Sequence, residues 1–132
     1  MGQRVRTAAP GGDVRTLTAV CTNESGHSQY DLVFVQDTVA MVYFETAVVL
    51  GATFYPIYHC EKIVVTKRAA ANGYAFAAGQ KVYWSGIDGD PVYPFHRSGF
   101  YWIGVATEGA LTTDTTVEID LKGDKASIGE PL

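Results

Sequence analysis

From Val14 onward, short apolar runs alternate with clusters of Gly, Asn, Asp and Ser, one run roughly every ten residues. The clearest pattern lies near the end. In Thr115–Leu121 (TTVEIDL), Val117, Ile119 and Leu121 alternate with Glu118 and Asp120, as in a strand with one buried and one wet face. Lys81–Trp84 and Val92–Phe95 flank the turn-forming stretch Ser85–Asp90 and predict a hairpin, and Ser98-Gly99 then leads into a strand over Phe100–Ala106. Earlier, VRTLTAV from Val14 to Val20 reads as the first strand, followed by a polar turn over Thr22–Ser28. Leu32–Val35 and Val39–Phe44, rich in Val, Phe and Tyr, read as two strands around Gln36-Asp37. Thr46–Tyr58 predicts two short strands hinged near Gly51, with Pro56 confining its segment to an edge or a bulge, and Ile63–Thr66 predicts another strand.

Only Lys67–Tyr74 (KRAAANGY) reads as helical: three alanines favour one or two turns, and Asn72-Gly73 supplies a C-cap. Residues 1–12 read as an extended arm, 13–122 as a single β body and 123–132 as a flexible tail. The expected fold is therefore mainly β, a small single-domain barrel or sandwich with at most one short helix. A chain of 132 residues suits one such body. No 20-to-50-residue repeat suggests a solenoid or propeller.

Charge narrows the choice of partners. The net charge is −4 and the longest basic cluster is Lys67-Arg68, which argues against nucleic acid, whose binders carry a basic stripe. Before Asp13 the only charged side chains are Arg4 and Arg6, so the arm is basic on an acidic body and suited to an acidic neighbour. The opening MGQRVRTAAPGG has no apolar core of a signal peptide, and the uncharged stretch between Glu45 and Glu61 is too short for a membrane helix. A soluble protein made in a cytoplasm is expected. Cys21 and Cys60 lack the spacing of a zinc site or a disulfide framework and read as buried thiols; whether they are bridged is a matter of geometry.

Candidate chemistry is sparse. His27, His59 and His96 form no spaced ligand pair, and nucleophile-elbow, phosphate-loop and dinucleotide motifs are absent. His59 and Cys60, if in one strand, point to opposite faces and cannot act as a dyad. Asp88 and Asp90 flank Gly89 in a turn, where Asp bonds its own backbone, and Glu118 and Asp120 lie on a wet face. No catalytic residue, metal site or cofactor is expected. A hydrolase would have to gather His59 or His96 with a carboxylate such as Asp37.

Aromatic residues are the remaining signal. Consecutive aromatics in a strand point both ways, so in Tyr83-Trp84 and Tyr101-Trp102 one member of each pair goes into the core and the other needs a second surface. These four residues, with Arg4, Arg6 and Pro10 of the arm, are the candidate partner interface. An aromatic face that stacks sugars is the alternative, a carbohydrate-binding or adhesin module of a virion or cell surface.

AAGQKVYW, ending at Trp84, and WIGVATEGALTTDTTVEIDL, from Trp102 to Leu121, resemble a family of tailed-bacteriophage capsid decoration (cement) proteins. The likeness covers about residues 74–122. In the first half, TVAMVYF and YPIYHCEKIVVTK depart from the family pattern, with His59 and Thr66 where Gly and Pro are typical. The resemblance implies a structural protein on the outer surface of the mature icosahedral head. Its implied partners are the major capsid protein, copies of itself (a trimer ahead of a dimer) and a second minor capsid protein.

Overall fold

The computed structural model describes residues 10–68 and 74–128, and the fold is mainly β, as expected. Thirteen strands occur in the described residues. The main sheet is antiparallel in the order β10 (Val92–Tyr93), β9 (Lys81–Trp84), β11 (Tyr101–Ala106), β12 (Thr116–Lys122), β8 (Ile57–Thr66), β5 (Thr38–Met41), β4 (Leu32–Val35). Beside this path, β1 (Gly11–Thr16) pairs with β8 and β13 (Ser127–Ile128) with β11. Two small sheets stand apart: β2 (Ala19–Val20) with β7 (Thr53–Phe54), and β3 (His27–Ser28) with β6 (Ala47–Val48).

The main sheet curls into a half-barrel around a core of large apolar side chains. Val117, Ile119 and Leu121 of β12 point inward as the alternation predicts, and they meet Ile63 and Val65 of β8, Ile103 of β11 and Trp84 of β9. The sheet's two ends are tied together. Gly89, in the turn between β9 and β10, donates its N–H to the Leu32 carbonyl of β4 at 3.0 Å. Lys67, just beyond β8, forms a parallel bridge with Val92 of β10. Its buried ammonium donates to the carbonyls of Arg68, Leu111 and Asp114 at 2.7–2.9 Å, so all three of its donors are satisfied.

A second core of Ala19, Cys21, Val33, Val42, Val48 and Phe54 lies on the other side of the β4–β5 hairpin. This explains the near-continuous apolar runs there: the hairpin is covered on both faces, by the barrel core within and by the two small sheets without. We call those two small sheets the flap.

Several expectations are corrected. The Val14–Val20 segment splits into β1 and β2, because Leu17 leaves the β1–β8 ladder and donates to the Pro56 carbonyl. Pro56 does not leave an edge segment behind it. It immediately precedes β8, a ten-residue strand paired with β1, β5 and β12 that includes the stretch read as a separate strand. The strand accommodates this length with a bulge: Ile119 opposes Ile63 but Leu121 opposes Cys60, Lys62 has φ +60°, and its N–H is taken by Asp120 Oδ1. Of the helical stretch, residues 69–73 lie outside the described residues. The arm is shorter than residues 1–12, since Gly11 and Gly12 already belong to β1. The tail from residue 123 is structured as far as Ile128: Gly123–Lys125 form a 3-10 turn and β13 continues the pairing on β11.

Gly123 holds that turn against the barrel. A Cβ there would collide with the Val39 carbonyl and come within 2.9 Å of the Tyr58 carbonyl, both backbone groups that cannot swing away. Gly123→Ala is expected to lower stability by about 1–3 kcal/mol, read as a lower urea midpoint at unchanged slope. Gly109→Ala, where the nearest contact is the Phe76 carbonyl at 3.4 Å, should change the midpoint far less.

Candidate functional site

Pairing between β9 and β11 settles where the aromatic runs point. Tyr101 opposes Trp84 and Trp102 opposes Tyr83, so each opposed pair shares a face. Trp84 is wholly buried, its indole N–H donating to the Asp90 carbonyl, and the half-buried Tyr101 packs against it with ring centroids 6.3 Å apart.

On the opposite face, Tyr83 is only 5% exposed. The chain between β10 and β11 folds back over this side: His96 packs edge-on to Tyr83, and Phe95 and Phe100 lie against Tyr93 with centroids 5.1–5.4 Å apart. Arg97 covers the ring of Phe95 at 4.5 Å. The second surface demanded by the aromatic runs is thus supplied by the chain itself. Tyr83 and Trp84 are corrected from candidate interface to core. Tyr101 and Trp102 remain half-buried, and the Trp102 indole N–H is buried without an acceptor among the described residues. Pro10 is half-buried ahead of β1, whereas Arg4 and Arg6 lie outside the described residues.

Large exposed apolar side chains gather instead around the flap. Val20 on β2, Val49 and Leu50 between β6 and β7, and the nearby Phe44 and Tyr55 are exposed, from 49% at Tyr55 to 69% at Val49. Backbone bonds bring the end of β2 to the turn that carries Val49 and Leu50: Val20 opposes Thr53, Cys21 donates to the Ala52 carbonyl, and Gly51 donates to that of Cys21. Tyr55 is linked to the Phe44 side by its N–H on Glu45 Oε2. The hinge near Gly51, where φ is +86°, is legible in the sequence, whereas the exposure of the flanking Val49 and Leu50 is not.

A cleft of about 400 Å³ opens where the flap meets the β9–β10 turn. His27 is set by Gly26, whose φ of +71° lets the chain pass against the Val48 carbonyl, and by Phe54, whose ring lies 5.4 Å away. The His27 side chain is 6% exposed and its Nδ1, 3.9 Å from Asp88 Oδ2, has no hydrogen-bond partner among the described residues. Asn23 spans the gap, its Oδ1 accepting the Ser25 N–H and its Nδ2 reaching Asp88 Oδ2 at 3.5 Å.

The other candidate groups have structural partners. Asp90 accepts from Ser85 Oγ and the Tyr93 hydroxyl, Glu118 from Thr107 Oγ1, and Asp120 from the Lys62 N–H. His59 and Cys60 share β8: the imidazole contacts the Asp13 carbonyl, while the thiol is buried in the barrel core. Cys21 belongs to the second core, and both cysteines are free. Asp37 sits exposed in the β4–β5 turn, whereas His59 and His96 have the partners given above. Among the described residues no three His, Cys, Asp or Glu side chains gather as metal ligands, and no helix is long and apolar enough to cross a membrane. No protein-family model, curated protein or solved structure matches the chain.

Burial, reinforced by the carboxylates of Asp120 and Glu61, pushes the Cys60 thiol from 9.0 up to about 12. The folded state therefore holds this proton after the unfolded chain has released it. Its contribution to stability is intact below pH 9 and is lost between pH 9 and about 12. Urea midpoints followed across that window should fall more steeply for the parent than for Cys60→Ala, and parallel curves would contradict the burial assigned to the thiol.

Proposed function

We propose that this chain is a bacteriophage capsid decoration protein that seats on the outside of the assembled head and ties neighbouring major capsid subunits together. The observation that carries the reading is the exposed ridge of Val20, Phe44, Val49, Leu50 and Tyr55. Five large apolar side chains exposed on and beside one small element are what a protein-binding surface offers, whereas exposed apolar residues scattered singly need no partner.

The resemblance of residues 74–122 to cement proteins supports the same reading. Its motif residues have a physical explanation as determinants of the curled sheet: Trp84 fills the core, and Gly104 lets β11 approach the Asp120 carbonyl so closely that a Cβ would collide with it. A net charge of −4 suits the outer face of a DNA-filled shell better than its interior.

In this mechanism the ridge supplies apolar burial and the arm, through Arg4, Arg6 and Pro10, latches an adjacent protein. Self-association as a trimer, or as a dimer, and contact with a second minor capsid protein would add further sites. Each contact can be weak, because on a lattice of many copies rebinding is effectively intramolecular.

Two experiments test the two contact surfaces separately, using purified heads of the parent phage that lack this chain. Val49→Asp with Leu50→Asp should leave the thermal unfolding midpoint nearly unchanged, since both side chains face solvent, and lower head occupancy at least tenfold. Unchanged occupancy would remove the ridge from the mechanism. Deleting residues 1–9 leaves Gly11 and the β1–β8 pairing in place, and should accelerate release from heads measured by sedimentation. An unaltered release rate would dismiss the arm.

A further inference from the structure

We propose that the cleft between the flap and the β9–β10 turn is a receptor for an arginine side chain presented by a neighbouring protein. The starting point is an unmet demand. His27 Nδ1 is buried and unpartnered among the described residues, in a side chain only 6% exposed. A buried polar atom left without a partner costs about 1–3 kcal/mol, which a ligand can recover on binding. Across the gap, 3.9 Å away, stands Asp88 Oδ2, a second acceptor. Asn23 braces that carboxylate from the side.

The lining favours a cation. Among the described residues, Asp88 is the single charged side chain that lines the cleft, and no Lys or Arg does. A guanidinium fits better than an ammonium for two reasons. With its proton on Nε2, His27 presents a lone pair at Nδ1, and a planar fork of N–H donors can reach Nδ1 and the carboxylate at once, whereas an ammonium is a compact point charge. Phe34, 40% exposed, also lines the cleft, and a guanidinium lies favourably over an aromatic face. Gln36 adds an amide at the rim. At about 400 Å³ the space falls within the range of small-ligand pockets and exceeds the needs of one side chain, leaving room for flanking backbone.

The site is held by backbone on both sides, so its walls are in place before any ligand arrives and only side-chain movement is needed to uncover the buried Nδ1. Gly26 fixes the approach of His27 to β6, and the Gly89–Leu32 bond fixes the turn that bears Asp88. Arginine recognition here goes beyond the decoration reading and does not require it, because the free protein should bind the side chain alone.

The test is a titration of the full chain followed by amide and imidazole NMR, with N-acetyl-L-arginine methylamide as probe and the uncharged isostere N-acetyl-L-citrulline methylamide as control. Saturable shifts at His27, Asp88, Asn23 and Phe34, with millimolar affinity for arginine and at least fivefold weaker binding of citrulline, are expected. Asp88→Asn, a conservative change at a partly exposed turn, should abolish that preference without altering the thermal midpoint. Equal response to the two probes, shifts located elsewhere, or no saturation would overturn the proposal. Saturable binding of methyl galactoside at the same residues, with none of arginine, would overturn it too and reassign the cleft to sugars. None of these outcomes depends on head binding, so failure of the decoration reading would be seen separately.

Discussion

The structure depends on one hairpin being buried on both faces. Strands β4 and β5 send Leu32, Val39 and Met41 into the barrel core and Val33 outward into a second core, which Val42 extends just past β5. Their connection is a two-residue turn through Gln36 and Asp37, with φ of +51° and +64°, where Asn and Gly are usual. Left-handed backbone at non-glycine residues costs about 1–2 kcal/mol each. Burial of this hairpin on two sides offsets that cost, since each fully buried Val, Leu or Met contributes about 1.5–3 kcal/mol.

The outer core in turn requires a cover, and this requirement accounts for the flap. Strands β2, β3, β6 and β7 have two residues each, too few to be stable as isolated ladders. They persist because Ala19, Val48 and Phe54 complete the packing over Val33 and Val42. Their connecting turn then has its apolar residues facing away from the body, which is why Val49 and Leu50 are exposed although the neighbouring Val48 is buried. The cleft arises at the seam where this cover stops and the β9–β10 turn begins. Packing at such a boundary is incomplete, and the polar groups of Asn23, His27 and Asp88 meet there.

Where periodicity and turn chemistry agree, the chain is readable. The alternation in β12, the β9–β10 hairpin and the opposed facing of Tyr83 and Trp84 all follow from the two-residue period of a strand. The same period demands a second surface for Tyr83 but is silent on its source. A neighbouring protein and the chain's own β10–β11 connection satisfy it equally; here His96 packs on Tyr83, while Phe95 and Phe100 pack on the neighbouring Tyr93. Proline excludes a donor only at its own position, so Pro56 does not confine its segment to an edge, and the strand begins one residue later. The Lys62 bulge and the docking of Gly123 on β5 depend on residues distant in sequence, Asp120 in one case and Val39 in the other. No local pattern encodes them. His27 falls within the stretch Thr22–Ser28 that reads as a polar turn, and its burial is hidden for the same reason: it comes from pairing with Val48 on β6 and from the ring of Phe54 on β7.

A division of labour between the two halves of the chain follows. Residues 74–122 build β9 through β12, four of the nine strands of the curled main sheet. Their characteristic residues are constrained by packing: Trp84 by core volume, Gly104 by the approach of β12, and Val117, Ile119 and Leu121 by a single inward face. A sheet of this geometry fixes those residue types whatever surface the protein finally contacts. The first half contributes the flap, its exposed apolar side chains and His27 of the cleft. On the decoration reading proposed above, recognition falls on the elements that the barrel core constrains least. A scaffold can keep its folding determinants while the cover over its outer hairpin changes to suit a partner, provided the replacement still buries Val33 and Val42.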